Sequence, residues 1–339
     1  MKRKNFLSSL LGMGAILPGK GFSGKEDDRE SAAIIPHYLR AGDTIGITSP
    51  AGFITRQDIE PAITQLLSWG FKVKIGGTID KRDFGFGGTD DERRDDLQDM
   101  LDDPEIRAIL CARGGYGIIR IIDRLNFTKL VRHPKWIIGF SDTTVLHSHL
   151  NRNFGIASIH SKMCNSFPEI WDKGEPIQKE TILSIRDALS GKKMKYSGDT
   201  LFSNRKGIAS GILVGGNLKT IESLAGTKSD LVTAGKILFV EDTGEYLYSI
   251  DRMFWNLKRT GKLAALKGLI IGGFKIKADD PGEEFGKTLY DIVMEKVKKY
   301  AYPVCFDFPV GHQQNNFAVK CGIRHKLEVK DLSFGLEEI

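Results

Sequence analysis

The chain has 339 residues, a formal net charge of +6, 41% apolar residues and 27% charged residues. These values are ordinary for a globular protein and leave room for two domains. Lys and Arg are interleaved with Asp and Glu and form no stripe with aromatic residues, so nucleic acid is not an expected partner. The four cysteines form no C-x-x-C pair and match no zinc pattern, so we expect no metal and no other cofactor.

The first residues are typical of a secretory signal. A basic start (2–4) is followed by an apolar stretch (7–18) and then by a polar stretch (19–29). This order predicts export to the periplasm, with the cytoplasm as the alternative because no clean cleavage site follows. The apolar stretch is shorter than the roughly 20 residues that a membrane span needs, and no later stretch approaches that length. No stable membrane span is therefore expected.

Strands and helices alternate in the first half of the chain, which predicts a parallel α/β sheet. Thr89-Asp90-Asp91-Glu92 has the pattern of a capping box at the start of a helix. In a parallel sheet the loops that follow the strands share one rim, where ligands bind. The predicted elements are strands over 44–48, 71–75, 106–112 and 135–140, and helices over 58–69, 89–101 and 118–125.

The second half predicts a smaller, mixed β/α domain after a loose polar connection with one helix near 177–189. Gly215-Gly216 is interpreted as a turn between strands. The later predicted elements are strands over 207–214, 236–240, 269–274 and 304–310, and a helix over 289–299. The predicted organisation is a signal-like or disordered segment (1–35), an N-terminal α/β domain (36–165), an interdomain connection (166–206) and a C-terminal β/α domain (207–330).

Ser141 follows an apolar strand and Gly139 directly, at the point where a helix is predicted to begin. A serine on a tight strand-to-helix turn exposes its hydroxyl beside backbone N–H groups, which suits a nucleophile. The alternative is a helix cap, a position where serine is favoured. The loop Arg113-Gly114-Gly115-Tyr116-Gly117 follows a neighbouring strand, and its N–H groups could form an oxyanion hole or cradle a phosphate.

A nucleophilic serine needs a base, a carboxylate that orients the base, and an oxyanion hole. Among seven histidines, His312 is placed most suggestively, since it follows an apolar strand end and Gly311. Glu241 follows the apolar run 237–240 in the same way. The order Ser, acid, His is that of the α/β-hydrolases, although their G-x-S-x-G motif would need glycine at Thr143. His325 is expected at the surface.

Six segments in order resemble the LD-carboxypeptidases of the serine peptidase S66 group. They extend from about residue 36 to 325, nearly the whole chain after the signal-like segment. The family usually has an apolar stretch after the last segment, and Lys320 and Cys321 depart from it. The segments are 42–52, Cys111 to Gly117, Ile138 to Asp142, Gly215 to Leu218, Leu238 to Asp242 with Asp251-Arg252 beyond, and Pro309 to His312 with Asn316 beyond.

The resemblance implies a site between two domains. Ser141 would be the nucleophile, His312 the general base and acid, and Glu241 the residue that orients His312. The implied oxyanion hole consists of backbone N–H groups of Asp142 and of the Gly114-Gly115 turn, with the choice between Gly114 and Gly115 left open. The implied chemistry requires no metal.

The implied reaction is hydrolysis of an L,D-amide bond that releases the terminal D-Ala of a murein tetrapeptide. Arg113 is a candidate for contact with the substrate's charged groups, and a helix-start or interdomain salt bridge is its alternative role. One rival is a microcin C immunity-type peptidase that cleaves aminoacyl-nucleotide analogues, for which Trp171 could offer a stacking surface. A rival of another class is a catalytically inactive cell-wall-peptide binding protein. The oligomeric state is left open, with a homodimer as one alternative.

Overall fold

The structure is a computed structural model that describes residues 33–339. Two β-sheets form the framework of this part of the chain. Residues 1–32 of the predicted signal-like segment 1–35 lie outside the described residues. The strands are β1 (Thr44–Thr48), β2 (Lys72–Ile75), β3 (Ile106–Cys111), β4 (Trp136–Gly139), β5 (Ser158–His160), β6 (Lys195–Asp199), β7 (Gly207–Asn217), β8 (Ile237–Glu245), β9 (Gly268–Ile276), β10 (Val304–Cys305), β11 (Val319–Cys321), β12 (Arg324–Val329) and β13 (Ser333–Glu338).

Helices cover the sheets and connect the parallel strands. The expected capping box is present at Thr89, whose side chain accepts from the backbone N–H of Glu92 while the Glu92 side chain accepts from the N–H of Thr89. Thr55 with Asp58 and Thr288 with Asp291 form the same motif. The helices are α1 (Arg56–Ser68), α2 (Asp90–Asp102), α3 (Ile118–Ile121), α4 (Thr128–Arg132), α5 (Thr144–Phe154), α6 (Pro176–Leu189), α7 (Leu218–Ser223), α8 (Leu247–Arg259) and α9 (Leu289–Val297). Short 3₁₀ helices span Ile122–Arg124, Ser141–Thr143, Cys164–Ser166 and Trp171–Lys173.

The first sheet has the strand order β11-β5-β4-β3-β1-β2 and is parallel except for β11. Its central strands are short apolar runs, and all four residues of β4 are buried. Such runs are typical of parallel strands covered on both faces. The carboxyl ends of β1, β3 and β4 lie at one edge, which places the loops after them together.

The second sheet has the order β10-β9-β8-β7-β12-β13-β6, with β7 to β10 parallel and β12, β13 and β6 antiparallel. The predicted α/β class, with a mostly parallel N-terminal sheet and a mixed second sheet, is confirmed. The interpretation of Gly215-Gly216 as a turn is wrong, because both glycines continue β7 beside Phe239 and Val240 of β8. Both sheets belong to one compact unit, and the predicted domain bounds stay a prediction.

Strand β11 connects the two halves of the chain, since it comes after the second sheet's parallel strands yet pairs with β5 of the first sheet. Its unusual Lys320 is fully buried, and Nζ lies 3.0 Å from Oε2 of Glu338 and 4.7 Å from the ring centre of Tyr38. Cys321 is packed in the apolar core. A buried charge with an ion-pair partner and a cation–π contact is accommodated, so the departure from the family pattern leaves the local packing intact.

The prediction that His325 lies at the surface is wrong, because its strand β12 lies between β7 and β13 and its side chain is buried. Burial lowers the pKa of His325 to about 4. Within residues 33–339, no helix has the length and apolar character that crossing a membrane would take.

Candidate active site

Ser141 lies on a sharp turn between β4 and α5. Its φ of +61° is in the left-handed region, which costs a non-glycine residue about 1–2 kcal/mol. In the described chain its side chain caps no helix, so the helix-cap interpretation is not supported. Gly139 is required before it, since a Cβ there would lie 2.7 Å from Oγ1 of Thr143. A strained conformation at a serine that lines a cavity is typical of a functional serine.

The Gly114-Gly115 turn lies directly beside Ser141. A Cβ on Gly114 would be 2.9 Å from Cβ and 3.1 Å from Oγ of Ser141, so this approach requires glycine. Within residues 33–339, neither the Gly114 nor the Gly115 N–H donates a hydrogen bond. Free N–H groups beside a nucleophile are what an oxyanion hole needs.

The carboxylate of Asp142 connects this turn to Ser141. Oδ2 of Asp142 accepts from the Ile118 N–H at 2.8 Å, which ties the start of α3 to the residue after the serine. Burial raises the pKa of Asp142 to about 6, and its backbone hydrogen bonds and the charge of Arg93 oppose that increase. The role of Asp142 in the structure is therefore to hold the glycine turn next to the serine.

Glu241 and His312 form a close pair at the rim of the second sheet. Nδ1 of His312 and Oε2 of Glu241 are 2.5 Å apart, Glu241 is fully buried in β8, and the His312 side chain is 15% exposed. Gly311 allows this approach, because its φ is +98° and a Cβ there would lie 2.3 Å from Cβ of Glu241. A buried carboxylate on Nδ1 leaves Nε2 of the ring available for chemistry.

Asn316 holds the turn that carries His312. Its Oδ1 accepts from the Gly311 N–H at 2.7 Å, and its side chain is fully buried. Sequence reasoning placed Asn316 in a family segment without giving it a role. The signal available in the sequence was an asparagine that closely follows a Gly-His pair, since asparagine side chains often bond to nearby backbone in turns.

The two halves of the site meet through packing. The ring of Phe140, the residue before Ser141, lies 4.9 Å from the ring of His312. On the other side, Oγ1 of Thr144 accepts from the Asn217 N–H at 3.0 Å. In the described chain Ser141 makes no direct hydrogen bond to His312. Such bonds are often loose in free enzymes and tighten on the substrate.

A cavity of about 400 Å³ opens at Ser141. Asp242 lines it and accepts from Nδ2 of Asn217 at 2.9 Å and from the N–H groups of Lys219 and Thr243 at 2.9 and 2.7 Å. Burial raises the pKa of Asp242 to about 6. The remaining lining comes from both halves of the chain and includes Gly115, Tyr116, Ile119, Asp142, Val145, Thr220, Ser223 and Glu245.

The other candidate residues lie outside this cavity. Arg113 is exposed and donates from Nη1 to the carbonyl of Phe53 at 2.8 Å, and its predicted role with substrate stays a prediction. Trp171 is partly buried against the first sheet's core, which favours a packing role. Within residues 33–339, no group of three or more His, Cys, Asp or Glu side chains is placed to hold a metal ion.

Two family models match the two halves of the chain. The model of the LD-carboxypeptidase N-terminal domain matches residues 45–161, and that of the C-terminal domain matches residues 210–327. A probable murein peptide carboxypeptidase of Bacillus subtilis is 31% identical over 304 residues, covering 89% of this chain and 94% of that protein.

Two solved structures are similar in fold. The muramoyltetrapeptide carboxypeptidase of Oxalobacter formigenes has a TM-score of 0.76 and 26% identity, and the match covers 87% of this chain and 98% of that chain. MccF in complex with glutamyl sulfamoyl guanosine has a TM-score of 0.78 and 22% identity, covering 91% of this chain and 98% of that chain. At this lower identity the second match concerns the fold alone.

Fold and domain matches together define a serine peptidase. The chain belongs to the LD-carboxypeptidase family, peptidase S66, and is a serine carboxypeptidase. The resemblance based on the six sequence segments is thereby confirmed.

Proposed function

We propose that this protein hydrolyses the L,D-amide bond before the terminal D-alanine of murein tetrapeptide fragments, with Ser141, His312 and Glu241 as its catalytic triad. The observation that carries the proposal is the contact between Glu241 and His312 beside the turn that carries Ser141. The relatives named for murein peptides and muramoyl tetrapeptide support the substrate class.

In the proposed reaction, Nε2 of His312 takes the proton of the Ser141 hydroxyl as Oγ attacks the carbonyl carbon. Backbone N–H groups of Asp142 and of Gly114 or Gly115 stabilise the negative oxygen of the tetrahedral intermediate. The protonated His312 then gives its proton to the leaving amine of D-alanine. Water, deprotonated by His312, hydrolyses the acyl-enzyme and restores Ser141. The Glu241 carboxylate stabilises the imidazolium of His312 during both formation and hydrolysis of the acyl-enzyme.

Mass spectrometry of murein tri-, tetra- and pentapeptides after incubation with the purified full chain tests this proposal. We expect the tetrapeptide to lose one alanine and the tripeptide to stay intact. An unchanged tetrapeptide would contradict the proposed function. Because MccF shares the fold, an aminoacyl sulfamoyl adenylate belongs in the same experiment. Its cleavage in place of the tetrapeptide would favour the immunity-type alternative, and tight binding of the tetrapeptide without cleavage would favour the binding protein.

We also propose that the protein is exported, on the basis of its basic and apolar N-terminal sequence. In the periplasm it would act on stem peptides or on fragments released from the wall. A reporter fused to residues 1–35 tests this separately from catalysis. Export of the reporter is the expected result, and retention in the cytoplasm would contradict it.

A further inference from the structure

A second cavity, of about 290 Å³, is lined in part by Gln314, two residues after His312. It is separate from the cavity at Ser141, and the two share no lining residue. The side chains of Lys162, Ser166, Glu175, Ile177, Gln178 and Gln314 line it.

Lys162 connects this cavity to both halves of the catalytic site. Its Nζ donates to the carbonyl of Gln313, the residue after His312, at 2.7 Å. The same Nζ lies 5.7 Å from the ring centre of Phe140, the residue before Ser141. The ammonium group therefore lies next to the junction at which Phe140 packs on His312.

The direction of proton transfer indicates which part of the peptide, on either side of the scissile amide bond, each cavity binds. His312 must deliver a proton to the leaving amine, so the leaving residue has to lie on the His312 side. The larger cavity contains Ser141, Asp142 and Gly115 and therefore suits the acyl part of the peptide. The smaller cavity, next to Gln313 and Gln314, then suits the C-terminal residue that is released. Its volume is at the lower end for ligand pockets, which suits one small residue.

The charge of Lys162 is available for a ligand. An ammonium group has three N–H donors, and one is used on Gln313. Within residues 33–339, Lys162 forms no ion pair with a carboxylate. Burial, together with the charge of Lys275, lowers the pKa of Lys162 to about 8, opposed by the charge of Glu241. The group is thus mostly cationic at neutral pH and gains from a negative partner.

We propose that the smaller cavity is the subsite for the leaving D-residue and that Lys162 binds the free carboxylate of that residue, an inference that rests on the proposed function. Lys162 is then the residue that makes the enzyme a carboxypeptidase instead of an endopeptidase. Glu175 lines the same cavity, and its negative charge opposes an anionic ligand, so the ammonium group of Lys162 has to offset it.

The test measures binding to an inactive Ser141→Ala enzyme by calorimetry, with a murein tetrapeptide and the same peptide as its C-terminal amide. A charge-assisted hydrogen bond predicts that the acid binds roughly tenfold to a hundredfold more tightly than the amide. Adding Lys162→Met should abolish this preference by weakening binding of the acid alone, and Lys162→Arg should retain most of it. Lys173→Met removes an exposed lysine that does not line this cavity and should leave the preference unchanged.

The outcomes separate the two proposals. If the acid is still preferred after Lys162→Met, or if the amide loses affinity equally, the subsite assignment is wrong while the proposed function stands. If the Ser141→Ala enzyme binds neither peptide and the wild-type enzyme cleaves neither, the proposed function is wrong, and the subsite assignment is wrong with it.

Discussion

Oε2 of Glu241 lies 2.5 Å from Nδ1 of His312, although 71 positions separate the two residues in the chain. Glu241 lies in β8 and His312 follows the turn at Gly311, so the second sheet supplies both members of the pair. The carboxylate fixes which ring nitrogen of His312 carries the proton and leaves Nε2 available for proton transfer.

Glu241→Gln should lower kcat by about 10²–10⁴ and change KM little, because the amide keeps the size of the side chain and loses the charge that stabilises the imidazolium. Steady-state kinetics of D-alanine release measures this. Glu328→Gln, which changes a carboxylate on β12, is the matched control and should behave like the wild type. A kcat within twofold of the wild type would show that Glu241 does not act through His312.

Gly311→Ala should reduce kcat about a hundredfold, because the new Cβ would lie 2.3 Å from Cβ of Glu241 and the turn would have to move His312. Gly282→Ala is the control for conformation alone. Gly282 also has a positive φ, +84°, with open space around its Cβ position. It should cost about 1–2 kcal/mol of stability without loss of activity. Equal kinetic effects of the two variants would argue against the steric explanation.

Asp242 should make stability depend on pH in an unusual direction. Burial raises its pKa to about 6 from the ordinary 3.8, so the native state binds the proton more tightly than the unfolded chain. Its contribution to the free energy of unfolding is therefore largest below the ordinary pKa and is lost as the pH rises through about 6.

Asp242→Asn removes this titration, since asparagine resembles the protonated acid. The stability advantage of the wild type over the variant should be greater at pH 4.5 than at pH 7 by about 2 kcal/mol. Denaturant unfolding of both proteins at the two pH values measures the difference. An advantage that shrinks on acidification would mean that the N–H donors around Asp242 lower its pKa instead.

Lys320→Met should destabilise the fold by about 3–5 kcal/mol, because it leaves the carboxylate of Glu338 buried without its partner. The pair Lys195 and Glu337 provides a control on the neighbouring strands, since both of its side chains are exposed. Lys195→Met should leave the free energy of unfolding nearly unchanged. If both variants unfold at the same denaturant concentration, the buried pair has no special role in joining β11 to β13.

Local patterns predicted the elements of this fold well where each element depends on its own residues. The capping box at Thr89 and the apolar run of β4 are examples. Burial in the second sheet was harder to predict. His325 looked exposed in a basic segment, yet β12 pairs with β7 on one side and β13 on the other. Which strands flank a residue depends on contacts far along the chain.

The candidate site could be predicted from the sequence in part. A serine, an acid and a histidine at strand ends were visible, and the place of His312 after a strand end and Gly311 distinguished it among seven histidines before the family resemblance implied its role. Asn316 and Lys162 received no role, because the hydrogen bond of Asn316 depends on the turn at Gly311 and the proposed role of Lys162 depends on a cavity formed by distant segments. Single residues of this kind leave no periodic pattern in a sequence.

The rate at which the full chain releases D-alanine from a murein tetrapeptide, compared with the rate of the Ser141→Ala variant, tests the central claim most directly. We predict turnover by the wild type and a reduction of at least about 10⁴-fold in the variant, with both proteins equally folded, since the hydroxyl of Ser141 forms the acyl-enzyme. Release at similar rates by the two proteins would contradict the assignment of Ser141 as the nucleophile.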